Sequence, residues 1–240
     1  MMPKHVEKEE SLRPITVEDH IALAGLQLQK KQTAVDDALG FPDGNQFEAV
    51  LDELLKSDAE ANGEVIAIAL IDLDSFDHIN KDFGREEGDR MIIAAGRYIQ
   101  DTVPKEATVF RIGGDEFGLI FRGTMEREEI FLLLNDLKNN YPITAPDGVR
   151  QTLTIGMATA FEDASRCPEL IRKADSALYR AKLSGRNRIA MAREEKMVPK
   201  TSHYTQDQLQ RLAKLAKREG IGEAILLREA MDMLLKKYDI

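Results

Sequence analysis

The sequence lacks the features that mark secreted and membrane-spanning proteins. It contains a single cysteine, Cys167, which excludes an intrachain disulfide and favours a reducing compartment. No apolar run approaches the roughly 20 residues that a helix needs to cross a bilayer. The first ten residues do not resemble a signal peptide, and no low-complexity tract or internal repeat is present. We therefore expect a cytoplasmic protein that does not enter the membrane.

Positive charge is also scarce. The 240 residues carry 33 Lys and Arg against 42 Asp and Glu, a net charge of −9. Residues 196–240 hold nine Lys or Arg and six Asp or Glu, so this segment is +3 and the rest is −12. An acidic body does not favour nucleic acid, whereas the C-terminal segment could approach it. A chain that is 43% hydrophobic and 31% charged is an ordinary globular one, with room for one good core and a small appendage.

The most informative stretch present is Gly113-Gly114-Asp115-Glu116, which lies between two apolar segments. Glycines between apolar runs predict a strand, a tight turn and a second strand. The two carboxylates then lie at the turn, where a ligand can approach the glycine backbone closely. Carboxylates in this position suit Mg²⁺, which prefers hard oxygen ligands and bridges phosphates. The alternative is a hairpin whose acidic tip is merely exposed to solvent.

A second pair of acids follows residues 65–71, a run of seven apolar residues that predicts a strand buried on both faces. Asp72 and Asp74 come at its end, where burial is costly unless a cation pairs with them. If this strand lies beside the glycine hairpin, Asp72 and Asp115 converge, an arrangement typical of metal-assisted phosphoryl or nucleotidyl transfer. The alternative is that these acids only end the strand.

Two further pairs of residues suggest nucleotide contacts. Asn80 and Asp89 precede a helical run at 90–100 and could read the N–H donors of a guanine edge. Lys182 lies near the end of a helix predicted from residue 174, and Arg186 follows Gly185 just beyond it. Two cations near the carboxylates would bind a triphosphate. The alternative for this pair is a solvated helix end with favourable charge placement.

Together these motifs, in this order and spacing, resemble the GGDEF domain of diguanylate cyclases over residues 35–193. The resemblance implies an α/β (α+β) fold with a central, mostly antiparallel sheet flanked by helices, as in nucleotide cyclases and polymerase palms. Residues 153–157 match the family's strand before the last helix. It also implies an enzyme that condenses two GTP molecules into cyclic di-GMP across a dimer, releasing two pyrophosphates. The implied cofactor is Mg²⁺, with Mn²⁺ as an alternative.

The resemblance assigns roles by position. The metal ligands would be Asp72, Asp115 and the backbone carbonyl of Leu73, and Asp115 or Glu116 would help to deprotonate the ribose 3′-OH. The residues that would bind the substrate are Phe76, Asn80, Arg85, Asp89, Gly114, Lys182 and Arg186.

Several positions depart from the family pattern. Asp77 stands where the family often has a Lys that meets the phosphates, and Arg85 stands where His is common. The early motif at residues 36–44 keeps its Asp and Gly but loses Thr, Asn and Arg. The product-inhibition motif would fall on Pro104 and Ala107 and is absent. A second hypothesis is therefore a weakly active or inactive domain that senses GTP or another nucleotide.

Changes in the residue pattern along the chain predict four segments. Residues 1–34 form an N-terminal segment with a short helix at 16–31, residues 35–193 the catalytic domain, and residues 194–200 a linker. Residues 201–240 form a small C-terminal module.

The C-terminal module predicts a strand, a helix, a glycine turn and a second helix. Residues 201–204 could form the strand, and Thr205 and Gln208 could form a capping box. The first helix would then span 206–219 with Gly220 as its C-cap, and Gly222 would open the second helix. This pattern resembles the ribbon-helix-helix family, whose modules are intertwined dimers, many of which bind DNA through paired strands. We favour homodimerisation through 201–240 over DNA binding because the net charge is only +3. A third hypothesis is a DNA-binding regulator that responds to nucleotide.

Overall fold

The computed structural model describes residues 34–192, 201–219 and 222–238. The chain divides into two compact units, the first ending at residue 194. The helix predicted at 16–31, the linker at 194–200 and the C-cap at Gly220 lie outside the described residues. Within those residues, no helix is long and apolar enough to cross a membrane.

The first unit alternates helices with the strands of one sheet. Its helices are α1 (Ala34–Leu39), α2 (Gly44–Lys56), α3 (Phe76–Phe83), α4 (Arg85–Thr102), α5 (Arg127–Asn139) and α6 (Cys167–Leu183). Its strands are β1 (Val65–Leu73), β2 (Ala107–Arg111), β3 (Glu116–Gly123), β4 (Leu153–Thr159) and β5 (Ile189–Met191).

The five strands form a single sheet in the order β2-β3-β1-β4-β5. All neighbours are antiparallel except β4 and β5. The predicted mostly antiparallel sheet flanked by helices is confirmed, as are the glycine hairpin between β2 and β3 and the strand β4. The register sets Asp72, near the end of the central strand, opposite Glu116 on one side and Thr154 on the other.

The central strand β1 is buried on both faces, as its apolar run predicts. Successive side chains point to opposite faces of a strand, so its odd and even positions belong to different cores. Ala69, Ile71 and Leu73 pack in the core formed with α3, α4 and α5. Ile68 and Leu70 pack in the core formed with α2 and α6. By the same alternation, Asp72 is on the side of the sheet that α6 covers.

The segment between β1 and β2 is more helical than its sequence suggests. The pattern predicts a helix at 90–100, whereas α4 begins at Arg85 and α3 already occupies Phe76–Phe83. Only Gly84, with φ of 85°, separates the two helices, because glycine adopts this conformation at little cost. Arg85 and Asp89 therefore lie in the first turns of a helix and not in a loop.

The second unit contains α7 (Gln206–Glu219) and α8 (Glu223–Lys237). The predicted capping box is confirmed: the Gln208 amide N–H donates to Thr205 Oγ1 at 3.2 Å, and the Thr205 amide N–H donates to Gln208 Oε1 at 3.0 Å. The strand predicted at 201–204 is not formed, and residues 201–205 have no regular secondary structure. A single strand leaves its backbone donors and acceptors unpaired, so a ribbon requires a neighbouring chain.

We expect Gly156→Ala in β4 to destabilise the first unit. An added Cβ would meet the Ala174 carbonyl oxygen at 2.2 Å and the Leu178 nitrogen at 2.3 Å, both backbone atoms of α6. The cost should reach about 1–3 kcal/mol in the free energy of unfolding, measured by urea titration. Gly123→Ala is the matched control, since its nearest neighbour is the flexible Glu106 side chain at 3.4 Å. Equal effects of the two substitutions would contradict close packing of α6 on β4.

Candidate active site

Four predicted site residues meet where β1 ends beside the glycine turn. Asp72 lies opposite Glu116 in the sheet register. The amide N–H of Leu73 donates to the carbonyl oxygen of Asp115 at 3.2 Å. Asp72 is almost fully buried, whereas Asp115 and Glu116 are half-buried. Antiparallel pairing therefore brings together acids that are 43 positions apart in the chain.

Lys182 supplies the positive charge at this strand end. It lies in the last turn of α6, and its Nζ donates to Asp72 Oδ2 at 2.6 Å. The Asp72 side chain is 12% exposed and the Lys182 side chain is 27% exposed, so solvent screens the pair only partly. The packing of α6 on the even-numbered face of β1 makes this contact possible.

Both carboxyl groups, that of the buried Asp72 and that of the half-buried Asp115, hold their protons more tightly than usual. Burial, opposed by Lys182 and reinforced by the nearby Asp115 and Glu116 carboxylates, raises the pKa of Asp72 to about 6. Burial also raises the pKa of Asp115, where Lys182 opposes the shift and Asp77 adds to it. Because burial disfavours the ionised forms of both groups, a further cation at this point would stabilise them.

The glycine turn has a compact side and an open side. A Cβ on Gly113 would lie 3.0 Å from Glu116 Oε2, so the Glu116 carboxylate folds back against the turn. Around Gly114 there is no atom within 4 Å of the corresponding position, and a ligand can approach this backbone. The carbonyl of Gly114 accepts a hydrogen bond from Arg111 at 3.0 Å, and the same guanidinium pairs with Asp36.

Arg111 and Asp36 were not among the predicted site residues. Asp36 belongs to the early motif and lies in α1, so this ion pair ties the first described helix to the glycine turn. The carbonyl of Pro42 also accepts from the Arg111 amide at 2.9 Å. Asp36, the acid that the early motif retains, was the only sequence signal for this ion pair. Its partner Arg111 could not be identified without the tertiary structure.

Asp74 is a third residue whose role the sequence did not define. Its carboxylate accepts hydrogen bonds from the Thr152 and Thr154 hydroxyls, both at 2.6 Å, and from the Asn187 amide at 3.0 Å. These donors account for its burial without a cation. Asp74 therefore joins the end of β1 to β4 and to the turn after α6.

The turn after α6 presents Arg186 in an unusual backbone conformation. Arg186 and Asn187 have φ of 57° and 46°, values that non-glycine residues seldom adopt. The Arg186 amide donates to the Ala181 carbonyl at 3.2 Å, and Asp74 holds the next amide. The exposed Arg186 side chain is thus placed beyond Lys182 by a fixed turn, as the sequence predicted for a pair of cations.

The predicted guanine readers form a second group on α3 and α4. A Cβ on Gly88 would lie 2.1 Å from Asn80 Oδ1 and 3.0 Å from Phe76 Cζ, so both side chains lie directly against this glycine. Asp89 is the next residue, and it is exposed, as is Arg85 one turn earlier. Among the described residues, no hydrogen bond or ion pair joins this group to the carboxylates.

The donor set near the glycine turn suits a hard cation with an incomplete protein shell. The described residues contain no cluster of three or more acidic, His or Cys side chains arranged to hold a metal. What they provide is the buried Asp72 carboxylate, the half-buried Asp115 carboxylate and the adjoining backbone of Leu73. Mg²⁺ commonly binds through one or two carboxylates and completes its shell with water and substrate phosphates. The residues present therefore fit this ion.

Two family models match the chain. The model described as "Diguanylate cyclase, GGDEF domain" matches residues 33–188, and the ribbon-helix-helix domain model matches residues 197–239. Both resemblances noted from the sequence are thereby confirmed. The boundaries at residues 34, 193 and 200 stay predictions.

Similar proteins include two from Escherichia coli K12, the probable diguanylate cyclase DgcC and the diguanylate cyclase DgcM. Each is 35% identical over 127 residues, or 52% of this chain, and the matched part covers 34% and 30% of the two relatives. The chain thus matches about a third of their length. The GGDEF domain of YfiN (TpbB) from Pseudomonas aeruginosa is a similar solved structure, with 28% identity and a TM-score of 0.61 over 65% of this chain and 99% of that domain.

We expect Lys182→Met to destabilise the metal-free protein at neutral pH by about 2 kcal/mol, because the Asp72 carboxylate loses its cationic partner. The pKa of about 6 means that ionisation of Asp72 costs stability as the pH rises from about 4 through 6. Below about pH 6 the carboxyl is mostly neutral in the folded protein, so the loss should largely disappear at about pH 5. Urea unfolding at about pH 5 and about pH 8 measures this, with Lys105→Met as control. A loss of equal size at both pH values would instead indicate packing by the lysine stem.

Proposed function

Because the chain belongs to the diguanylate cyclase GGDEF-domain family, we propose that it condenses two GTP molecules into cyclic di-GMP and two pyrophosphates. The observation that carries the proposal is the convergence of Asp72, Asp115 and Lys182 beside an open glycine turn. We place this reaction in the cytoplasm, where GTP is available.

Asp72, Asp115 and the backbone carbonyl of Leu73 would hold Mg²⁺, or Mn²⁺ in its place. Burial raises the pKa of both carboxyl groups, so a cation at this point offsets an existing electrostatic cost. The bound ion would neutralise phosphate oxygens and favour the departure of pyrophosphate.

Lys182 and Arg186 would bind the triphosphate. Lys182 contacts Asp72 in this structure, so substrate binding would let its ammonium shift toward phosphate oxygens. Arg186 is exposed on a turn that Asp74 anchors, which leaves its planar guanidinium able to bind phosphate with two parallel hydrogen bonds. Gly114 would let the triphosphate approach the backbone of the signature turn.

Asn80 and Asp89 would read the guanine base, with Phe76 beneath the phosphates and Arg85 at the rim. Asn80 rests against Gly88, so its side chain and that of Asp89 project from adjacent parts of two helices. A carboxylate accepts from the N1 and N2 donors of guanine, while a carboxamide can also donate to O6. This pairing favours guanine over adenine, because the edge of adenine offers a different pattern of hydrogen-bond donors and acceptors.

Chemistry would begin at the ribose 3′-OH of one GTP, which attacks the α-phosphorus of the other. Asp115 or Glu116 would accept the hydroxyl proton, and a carboxyl with a raised pKa is the better base. Charge develops on the phosphoryl oxygens, where Lys182 and Arg186 would stabilise it. One domain holds only one GTP, so two copies must face each other.

The second unit would supply the dimer. Its described helices leave large apolar side chains exposed: Leu209 is 44% exposed and Leu234 is 49% exposed. A module of some 40 residues rarely stabilises itself without burying such a surface elsewhere. A second copy of the same module would cover it, in agreement with the ribbon-helix-helix match. Tethering two catalytic domains raises the effective concentration of each for the other.

Asp77 supports a second candidate function, a nucleotide sensor with little turnover. This exposed acid lies in the first turn of α3, where it contributes to the raised pKa of Asp115. A negative charge there opposes a bound triphosphate. A domain with this residue could hold GTP weakly or turn it over slowly, and its output would then be a conformational change.

We expect Asp115→Asn to lower cyclic di-GMP formation at least about 100-fold, because it removes both a metal ligand and a base. Chromatography of the nucleotides after incubation with GTP and Mg²⁺ measures the product, with the exposed Asp101→Asn on α4 as control. Product formed equally by both variants would refute the assigned role. Binding of GTP by equilibrium dialysis without any product from the unaltered protein would favour the sensor, and the absence of both would exclude both functions.

We expect Leu209→Asp to convert the full-length dimer to monomers and to make turnover steeply dependent on protein concentration. In a symmetric dimer the substitution buries two unpaired carboxylates, each of which is costly. Sedimentation and rate measurements over a dilution series test this against Gln210→Asp, which adds the same charge at the neighbouring exposed position. If the protein stays dimeric in Leu209→Asp, the second unit does not form the dimer interface.

The same two variants test the DNA-binding alternative. Fluorescence anisotropy with a labelled duplex at low and high salt would reveal binding that falls with salt, as phosphate contacts require. Salt-sensitive duplex binding by the unaltered protein, lost in Leu209→Asp, would support a DNA-binding regulator built on the dimeric module.

A further inference from the structure

A small polar pocket lies behind the turn that carries Arg186, and none of the assignments above uses it. It is formed where the end of α5 meets the start of β4 and the turn after α6. The residues that line it are Lys138, Asn139, Arg150, Gln151, Thr152 and Asn187.

The pocket concentrates positive charge within an acidic protein. Lys138 is half-buried in the last turn of α5. Among the described residues, the charged groups that act on it are Arg150, Arg188 and Asp74. Burial and then Arg150 lower the pKa of Lys138, with Arg188 adding to the shift and Asp74 opposing it. Two of these cations, Lys138 and Arg150, line the pocket, and the nearby carboxylate is that of Asp74.

That one carboxylate is already satisfied by other donors. Asp74 accepts from Thr152, Thr154 and the Asn187 amide, so it contacts none of the three cations directly. Lys138 Nζ instead contacts neutral carboxamide oxygens, Asn139 Oδ1 at 2.7 Å and Asn187 Oδ1 at 3.4 Å. The ammonium group is partly desolvated and has no carboxylate among these contacts.

Helix capping accounts for part of this arrangement. Arg150 donates from Nε and one terminal nitrogen to the carbonyl oxygens of Asn139, the last residue of α5, and Tyr141, just beyond it. A lysine in the last turn of a helix also benefits from the helix dipole. The carbonyls there carry only about half of one negative charge, so even together with the Asp74 carboxylate they do not balance three full positive charges.

We propose that this pocket is a binding site for a tetrahedral phosphate-class oxyanion, either free phosphate or the terminal phosphate of a phosphomonoester. Lys138 and Arg150 would supply charge, while the amide groups that line the pocket would supply directional donors. Gln151, a buried polar residue, donates its Nε2 to the Asp74 carbonyl and keeps the floor of the pocket rigid.

The pocket also connects to the catalytic side of the molecule. Asn187 contributes to the pocket wall, and its amide binds Asp74 within the turn that presents Arg186. Arg188 Nε donates to the Arg186 carbonyl at 3.1 Å. An oxyanion held between Lys138 and this turn would therefore steady the position of Arg186.

The test is thermal unfolding of the full chain in EDTA, with sodium phosphate compared with sodium chloride at equal ionic strength so that simple screening cancels. At about ten times the dissociation constant, phosphate should raise Tm by about 3 °C or more. Lys138→Gln should abolish this rise, whereas Lys138→Arg and the exposed control Lys105→Gln should retain it. Because Lys138 is repelled by its neighbours, Lys138→Gln should unfold in chloride no earlier than the unaltered protein.

Two results would overturn the proposal: an equal phosphate-dependent rise in all four proteins, or no rise in any. A parallel titration with glycerol 3-phosphate identifies the source of the ligand. A rise with both compounds assigns the site to terminal phosphate groups, and a rise with phosphate alone assigns it to the free ion. The assay contains neither GTP nor a divalent metal, so its outcome is independent of whether the protein makes cyclic di-GMP.

Discussion

The contact between Lys182 and Asp72 is the interaction on which the geometry of the candidate site depends. A carboxylate near the end of a central strand is surrounded by protein on both sides, and its charge needs a partner. The partner comes from α6, whose close approach to β4 at Gly156 brings its last turn over the strand end. The same helix then leads directly into the turn of Arg186. A single packing contact thus brings the Lys182 cation at the end of α6 to the buried Asp72 carboxylate.

The buried carboxylate of Asp74 is stabilised without a cationic partner. It lies two residues beyond Asp72 and is equally buried, yet its neighbours are hydroxyls and an amide instead of a cation. Hydrogen bonds from three neutral donors stabilise a buried carboxylate and hold it rigidly. Asp74 therefore works as a structural anchor, which keeps β1, β4 and the turn after α6 in register. One strand end therefore contains an acid paired with a lysine and an acid held by neutral hydrogen-bond donors.

Local patterns predicted much of the first unit. The apolar run before Asp72, the paired glycines and the helix carrying Lys182 each have a strong signal, and all three elements form as expected. The start of α4 was placed too late because residues 85–89 are rich in charge and glycine, a composition that also suits a loop. The strand at 201–204 was predicted from a pattern that requires a second chain for its backbone hydrogen bonds. Arg111 and Asp36 escaped notice since no local rule pairs residues 75 positions apart.

The sequence by itself determined the strands and helices that carry the strongest patterns, the identity of the acids and cations, and the alternation that sends Asp72 to the face opposite that of Leu73. These properties are local, because side-chain periodicity and turn chemistry act over a few residues. Only the tertiary structure decided which partner each charge has. Strand register set Asp72 opposite Glu116, helix packing delivered Lys182 to Asp72, and the left-handed turn fixed Asn187 on Asp74. The pairing of buried charges depends on distances between segments far apart in the chain, and no local pattern contains that information.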